Sequence, residues 1–177
     1  MQLTIDGFAA GPEGQLDWMS FEPDTKLLAL INHLIDTSDT ILMGRKMSPE
    51  FCKYWESVPK DTPEYTFAQK MVQTPKVIFS RTETKTNGLN ARVQNGDLKT
   101  EINKLKNQPG KDLLVYGGAN FVSELIKADL IDDYYLVINP VSIGRGLSIF
   151  TERTRLKLID VTKCDGGKVV IHYKPAR

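Results

Sequence analysis

Two adjacent glycines separate a strand-like run from a helix-like run in the second half of the chain. Residues 113–115 are apolar, and apolar residues from 121 to 126 recur at the spacing of one helix face. Gly117 and Gly118 would let the main chain approach a ligand, and the first amides of the following helix favour a phosphate. The segment is a candidate nucleotide site. A purely structural turn fits equally well, because the three spaced glycines of the common dinucleotide motif are absent.

Two further apolar runs end in residues of compatible chemistry. Residues 40–43 predict a buried strand that ends at Gly44, Arg45 and Lys46, and residues 76–80 predict another that ends at Ser80 and Arg81. A guanidinium group can bind a phosphate through two parallel hydrogen bonds. Each arginine alone is more typical of a surface charge. Ligands of open α/β sheets collect beyond the carboxyl ends of the strands, so the three ends together predict a common phosphate-binding surface.

The elements that must position these residues alternate along the chain. A strand at 3–5 and a long loop at 6–22 precede a helix opened by Pro23 and Asp24, with its apolar face formed by residues 27–35. Further helices are predicted up to residue 55, through residues 67–71 and at 97–106, with strands at 91–94 and 132–139. Strands at 156–161 and 168–173 flank the turn at 165–167 and predict an antiparallel hairpin. The order predicts an α/β fold in one domain, residues 1–177, with a mostly parallel sheet and an antiparallel C-terminal edge.

Composition excludes several classes of function. The chain has 177 residues, 41% of them hydrophobic, and a net charge of +1 with no massed basic patch. Nucleic acid and anionic membrane surfaces are therefore not expected partners. No apolar run is long enough to cross a bilayer, which favours a cytoplasmic location. Cys52 and Cys164 are expected to be free thiols.

Other catalytic chemistries find little support. His33 lies on the predicted first helix and His172 in the last strand, without the spacing of a metal site or a histidine triad. The glycine-rich motif with a following lysine that binds nucleoside triphosphates is also absent. No metal is expected, and no catalytic residue is assigned.

Four segments together resemble the dihydrofolate-reductase-like superfamily: 4–11 (Thr-Ile-Asp-Gly-Phe-Ala-Ala-Gly), 44–46 (Gly-Arg-Lys), 79–81 (Phe-Ser-Arg) and 116–119 (Tyr-Gly-Gly-Ala). The closer resemblance is to the RibD C-terminal domain, the reductase domain of riboflavin-biosynthesis enzymes, as a stand-alone member. It spans nearly the whole chain. It implies a three-layer α/β/α sandwich whose last strand is antiparallel, with NADPH as cofactor.

The resemblance also implies roles for individual residues. Two residues of the first loop, Ala10 and Gly11, would lie near the nicotinamide. Two turns would hold the pyrophosphate from either side: one with Gly117, Gly118, Ala119 and Asn120, the other with Gly44, Arg45 and Lys46. Ser80 and Arg81 would take the adenosine 2′-phosphate. One departure is that classical dihydrofolate reductases have threonine where this chain has Met47, with Ser48 one step later.

Three residues are candidate contacts for a substrate. Folate enzymes bind the pterin through a carboxylate on the first helix, and Asp24 lies near that helix start, where helix capping also explains it. Asp17 and Trp18 in the first loop are the alternative pair. The Trp18 ring suits a flat heterocycle and equally suits an anchor for the loop. Asp6 is expected to stabilise the turn before Gly7.

The primary hypothesis is therefore a reductase that passes hydride from NADPH to a small flat heterocycle, such as a pterin or a flavin precursor. Water or Asp17 would deliver the proton. The alternative is a binding module that keeps the fold without turnover. The C-terminal hairpin and the apolar segment 134–138 suggest a homodimer, although an internal strand would have the same sequence.

Overall fold

The structure is a computed structural model that describes residues 1–20, 22 and 24–176. Pro23, expected to open the first helix, lies outside the described residues. The chain folds into two compact units. Unit 1 comprises residues 1–31 and 122–177, and unit 2 comprises residues 32–121. That the whole chain is one domain stays a prediction.

The described residues form ten strands and five helices. In chain order they are β1 (Gln2–Thr4), β2 (Phe8–Ala10), α1 (Thr25–Asp36), β3 (Ser38–Gly44), α2 (Ser48–Glu56), α3 (Tyr65–Gln73), β4 (Lys76–Phe79), β5 (Ala91–Gln94), α4 (Leu98–Lys106), β6 (Asp112–Gly117), α5 (Ala119–Lys127), β7 (Tyr134–Asn139), β8 (Leu147–Ser148), β9 (Leu156–Lys163) and β10 (Val169–Pro175).

Unit 2 is built on a four-stranded sheet in the order β5-β4-β3-β6, and every pair in it is parallel. Ile41, Met43 and Ile78 are almost fully buried and pack with residues of α2 and α3 in one hydrophobic core. Parallel strands covered in this way read as continuous apolar runs, which is why the sequence revealed them. Asp97 caps α4 by accepting a hydrogen bond from the Thr100 amide at 2.9 Å.

Unit 1 contains a mixed four-stranded sheet in the order β1-β7-β10-β9 and a short β2–β8 pair. β1 pairs with β7 in parallel, whereas β10 pairs antiparallel with both β7 and β9. Leu27 of α1 packs with Val137, Cys164 and Val170 in the core of this unit. The predicted C-terminal hairpin is therefore confirmed.

The observed architecture is the mixed α/β fold that was predicted, with a parallel sheet and an antiparallel C-terminal part. Two details differ from expectation. The three-residue strand β2 lies in the segment 6–22, which was expected to be a loop, whereas the two-residue strand β8 lies in a segment for which no element was predicted. The segment 134–138 belongs to β7, an internal strand flanked by β1 and β10, which is one of the two alternatives that its sequence left open. Leu28, expected on the buried side of α1, is half exposed.

None of the helices in the described part of the chain combines the length and apolar character needed to cross a bilayer. Cys52 and Cys164 are both free and buried, as expected.

Candidate functional site

The three predicted strand ends lie side by side in unit 2. Gly44 at the end of β3 pairs with Phe79 at the end of β4, and Met43 pairs with Gly117 at the end of β6. The Arg45 amide also donates to the Phe79 carbonyl at 3.1 Å. Residues 44–46, 80–83 and 117–120 therefore follow neighbouring parallel strands, and we call this surface the β3–β4–β6 edge.

At two points of this edge, glycines let the main chain pack closely against neighbouring residues. A β-carbon at Gly44 would lie 2.8 Å from the β-carbon of Phe121, so a larger residue would displace α5. Gly117 has φ +146°, which side chains disfavour, and its peptide bond to Gly118 is cis. A β-carbon at Gly118 would lie 3.7 Å from the Met47 β-carbon. The two turns thus pack closely.

The N-terminus of α5 follows the second glycine turn directly. Ala119 begins the helix and is buried, and Asn120 after it is exposed. The first amides of a helix have no intrahelical acceptor and carry the positive end of its dipole. Anions bind well at such a terminus, and here it adjoins the arginine-bearing turns.

The loop after β4 is organised by Ser80. Its Oγ accepts hydrogen bonds from the amides of Thr82 at 3.1 Å and Glu83 at 2.8 Å. Asn95 Nδ2 donates to the carbonyls of Ser80 at 2.9 Å and Glu83 at 2.6 Å. A hydroxyl that already accepts two hydrogen bonds can still donate its proton, which suits a phosphate oxygen.

The turn after β3 supplies positive charge to the same edge. Arg45 and Lys46 are exposed, and Arg45 Nη1 lies 3.9 Å from Glu83 Oε1. Arg81 is exposed on the loop that follows β4. The buried Ser48 hydroxyl donates to the Arg45 carbonyl at 3.0 Å, so it holds the turn in place. Met47, which replaces the threonine of classical dihydrofolate reductases, packs on the core of unit 2.

The donor set of the β3–β4–β6 edge fits a phosphorylated dinucleotide. Guanidinium groups, one hydroxyl proton and a helix N-terminus all favour anions. Gly44, Arg45, Lys46, Gly117, Gly118, Ala119 and Asn120 would hold the pyrophosphate, and Ser80 and Arg81 would hold a 2′-phosphate. These roles stay predictions.

Four of the other predicted site residues lie in the first loop region of unit 1. Ala10 pairs with Leu147 across β2 and β8, and Gly11 begins a tight turn in which its amide donates to the Gln15 carbonyl at 2.9 Å. Asp17 is exposed. Trp18 is half-buried, and its buried indole Nε1 has no hydrogen-bond partner among the described residues. An unpaired buried N–H is costly, so it is suited to donate to a polar ligand atom.

Asp24, a predicted substrate contact, is engaged in helix capping in this structure. Its Oδ1 accepts from the Leu27 amide at 3.0 Å, and its Oδ2 accepts from the Gly166 amide at 3.1 Å. These hydrogen bonds lower the pKa of the Asp24 carboxyl. Both oxygens are used and the side chain is buried, which favours the capping interpretation, and a substrate contact of Asp24 stays a prediction.

Two polar arrangements escaped the sequence reasoning. Lys76 is buried, and its Nζ donates to the carbonyls of Met71, Val72 and Thr74 at 2.9 Å each, which caps the end of α3. Burial lowers the pKa of the Lys76 amine. His172 Nε2 lies 2.7 Å from Asp133 Oδ1, a carboxylate that is 39 residues away in sequence. A buried lysine and a long-range pair leave no local pattern in a sequence.

No metal centre is evident within residues 1–20, 22 and 24–176, where no group of three potential metal ligands converges. A cavity of about 260 Å³ in unit 1 is lined by Ser123, Tyr134, Thr151 and neighbouring residues. None of the predicted site residues lines it.

Comparisons with known proteins agree with the fold. The uncharacterized protein YyaP of Bacillus subtilis is 34% identical over 98% of this chain and 91% of its own length. A crystal structure from Shewanella sp. PV-4, whose name places it provisionally in riboflavin biosynthesis, is similar with a TM-score of 0.75 and 21% identity, over 100% of this chain and 97% of that one.

A third similar protein is longer than this chain. It is the diaminohydroxyphosphoribosylaminopyrimidine deaminase/5-amino-6-(5-phosphoribosylamino)uracil reductase of Thermotoga maritima, with a TM-score of 0.67 and 17% identity. The similarity covers 99% of this chain and 55% of that one. The RibD C-terminal domain model matches residues 1–170. Together with the similarity to YyaP, this match means that the chain belongs to the RibD C-terminal domain family.

Proposed function

We propose that this protein is an NADPH-dependent reductase that transfers hydride to a small flat heterocycle, such as a pterin or a flavin precursor. The observation that carries the proposal is the β3–β4–β6 edge, where neighbouring strand ends supply two glycine turns, two arginines and a helix N-terminus. Membership of the RibD C-terminal domain family supports it, as does the fold shared with a protein named as a uracil reductase.

The chain's own residues would do four things in this function. Gly117, Gly118 and the α5 amides would bind the pyrophosphate, and Arg81 with the Ser80 hydroxyl would bind the 2′-phosphate. The Trp18 Nε1–H would donate to a carbonyl or ring nitrogen of the heterocycle. Asp17 or water would provide the proton. Bound NADPH supplies the hydride.

The alternative is a non-catalytic module that binds a nucleotide or a pterin. Two observations favour it: Met47 and Ser48 are both committed to packing and turn contacts, and Asp17, the candidate proton donor, is exposed. Fold alone does not decide between turnover and binding.

The test follows NADPH absorbance while the purified protein is offered pterins, flavins and pyrimidine ribosyl compounds. The reductase predicts oxidation of NADPH with at least one of them, at a rate that Arg81→Ala reduces. Binding of NADPH without oxidation across the panel would establish the module instead. Absence of any binding would contradict both.

We also propose that the protein forms a homodimer through β9, not through the segment 134–138. β9 ends the unit 1 sheet, and no strand in the described part of the chain pairs with its outer side. Leu158, Ile159 and Val161 on it are about half exposed. An apolar edge strand of this kind is a template for pairing with another chain.

The register of β9 favours a second copy as its partner. Val161 pairs with Ile171 and Leu158 pairs with Tyr173, because one extra residue, Ile159, lies between them. Leu158 and Val161 therefore share one face of the sheet. Antiparallel pairing of two β9 strands about a two-fold axis places Leu158 of each copy beside Val161 of the other, so the apolar face continues across the interface.

The cytoplasmic location remains part of the proposal. Two free, buried cysteines suit a reducing compartment.

A further inference from the structure

The loop after β4 carries an acidic residue beside its arginine. Arg81 and Glu83 are two residues apart, and both are exposed. The loop backbone is held by Ser80 Oγ, which accepts the Glu83 amide at 2.8 Å, and by Asn95 Nδ2, which donates to the Glu83 carbonyl at 2.6 Å. The Glu83 carboxylate contributes to neither contact. Its side chain can therefore be changed without removing the bonds that shape the loop.

The Glu83 carboxylate instead faces the other arginine of the edge. Its Oε1 lies 3.9 Å from Arg45 Nη1, with 56% of the Glu83 side chain and 43% of the Arg45 side chain exposed. A pair this long and this exposed is weak. A phosphate group, with more charge and three acceptor oxygens, would compete successfully for the same guanidinium.

We propose that Glu83 is a specificity-determining residue that weakens the preference of this site for NADPH over NADH. This inference rests on the proposed function, which places the adenosine 2′ position beside Ser80 and Arg81. Near that position a carboxylate accepts a hydrogen bond from the 2′-hydroxyl of NADH, whereas it repels the 2′-phosphate of NADPH. The loop thus carries one residue that favours NADPH, Arg81, and one that favours NADH, Glu83.

The same carboxylate acts on Arg45 before any ligand binds. Because the proposed function assigns Arg45 to the pyrophosphate, which both dinucleotides carry, this contact weakens NADPH and NADH alike. The difference between the two dinucleotides comes from the repulsion between the Glu83 carboxylate and the 2′-phosphate, which NADH lacks. Glu83 therefore changes the ratio of the two affinities and not only their common level.

The experiment measures dissociation constants by calorimetry for the unmodified protein, Glu83→Gln and the control Glu64→Gln. Glu64 is exposed in the same unit, and its side chain makes no cap hydrogen bond to α3, so its substitution removes an equal charge elsewhere. The ligands are NADPH, NADH, ADP-ribose and 2′-phosphorylated ADP-ribose. The last two isolate the 2′ position from the nicotinamide.

We expect Glu83→Gln to tighten both 2′-phosphorylated ligands by roughly 2- to 5-fold, the scale of one exposed ion pair. NADH and ADP-ribose should tighten less or bind less well, because they carry no 2′-phosphate to be repelled and their 2′-hydroxyl loses the carboxylate acceptor. If Glu83→Gln leaves the ratio unchanged while NADPH still binds, the inference is wrong and the proposed function stands. Equal tightening by Glu64→Gln would also overturn it, because long-range charge would then be the cause. If neither dinucleotide binds any of the three proteins, both proposals fail.

Discussion

Arg81 is the residue on which the preference for a phosphorylated cofactor most directly depends. It is exposed on the loop after β4, and Ser80 beside it can donate one hydroxyl proton. We expect Arg81→Ala to weaken NADPH binding by about 1.5–3 kcal/mol, the usual contribution of a charged hydrogen bond, with NADH affected less. Calorimetric titration of both dinucleotides measures the difference. If Arg81→Ala weakens the binding of NADPH and NADH equally, Arg81 does not contact the 2′-phosphate.

Asp6 makes the stability of unit 1 depend on pH. Hydrogen bonds from the Thr4 hydroxyl, then from the Ser142 hydroxyl and the amides of Gly144 and Ile143, hold the pKa of its carboxyl well below the usual range. A depressed pKa means that the native state favours the ionised form. Its contribution to stability is therefore complete above about pH 4 and is lost as the pH falls further.

The variant Asp6→Asn should accordingly have a lower Tm than the unmodified protein at neutral pH. The difference between the two should shrink as the pH falls below about 4, because the Asp6 carboxyl of the unfolded chain is then protonated and the advantage of the ionised native form is progressively lost. Thermal unfolding followed by circular dichroism across this range provides the measurement. Asp17→Asn, at an exposed position in the same unit, is the control. A difference that stays constant into acid would show that the charge of Asp6 is irrelevant.

At the scale of a single residue, local sequence patterns predicted the features that depend on neighbours in the sequence, such as helix caps and turns. The sequence predicts a helix that starts at Asp97, and Asp97 caps α4. It predicts a strand-to-helix turn at Gly117 and Gly118, and β6 ends and α5 begins there. At Lys76 it predicts only a strand, because nothing in the neighbouring sequence indicates that the Lys76 amine donates to three carbonyl groups. Asp24 has two interpretations from the sequence, and its hydrogen bonds to two main-chain amides favour helix capping.

At the scale of elements, the loop after β4 is held in position by a residue that follows β5. Asn95, just after β5, donates to two carbonyls of the loop after β4. It is a positioning residue. We expect Asn95→Ala to weaken NADPH and 2′-phosphorylated ADP-ribose by roughly 3- to 10-fold, since two hydrogen bonds that hold the loop are lost. ADP-ribose should change less.

Asn103→Ala, at an exposed position on α4, is the matched control for that experiment and should leave all affinities unchanged. Asn95→Asp should not restore binding, because an ionised carboxylate cannot donate to a carbonyl. Equal weakening of ADP-ribose and its phosphorylated form would mean that Asn95 supports the unit in general and does not position the 2′ contacts.

Element length explains which secondary structure could be predicted. β3, β4 and β6 are apolar runs that end in glycine or polar residues, so both their existence and their ends were recognised. β2 and β8 have too few residues to establish an alternating pattern, so the sequence predicts neither of them. Long elements carry a period, whereas two- and three-residue strands exist only because a partner strand lies beside them.

At the scale of the whole chain, the fold class followed from the order of the elements, but the order of strands within each sheet did not. The apolar segment 134–138 and the hairpin after it were both candidates for an interface. The sheet order makes β7 internal and β9 an edge. Internal and edge strands can share the same composition, because burial by another strand and burial by another molecule select the same side chains.

The position of β9 leads to a prediction about assembly. Leu158 and Val161 lie on one face of this edge strand, about half exposed, and self-pairing brings them together across a two-fold axis. We expect the unmodified protein to sediment as a dimer. Leu158→Lys with Val161→Lys should shift it toward the monomer, because four cations would then meet at the interface.

The matched control is Leu28→Lys, which changes another half-exposed leucine of unit 1, on α1, and should leave the dimer intact. A monomer at every concentration for the unmodified chain would contradict the homodimer, and a dimer that survives both lysines would place its interface elsewhere.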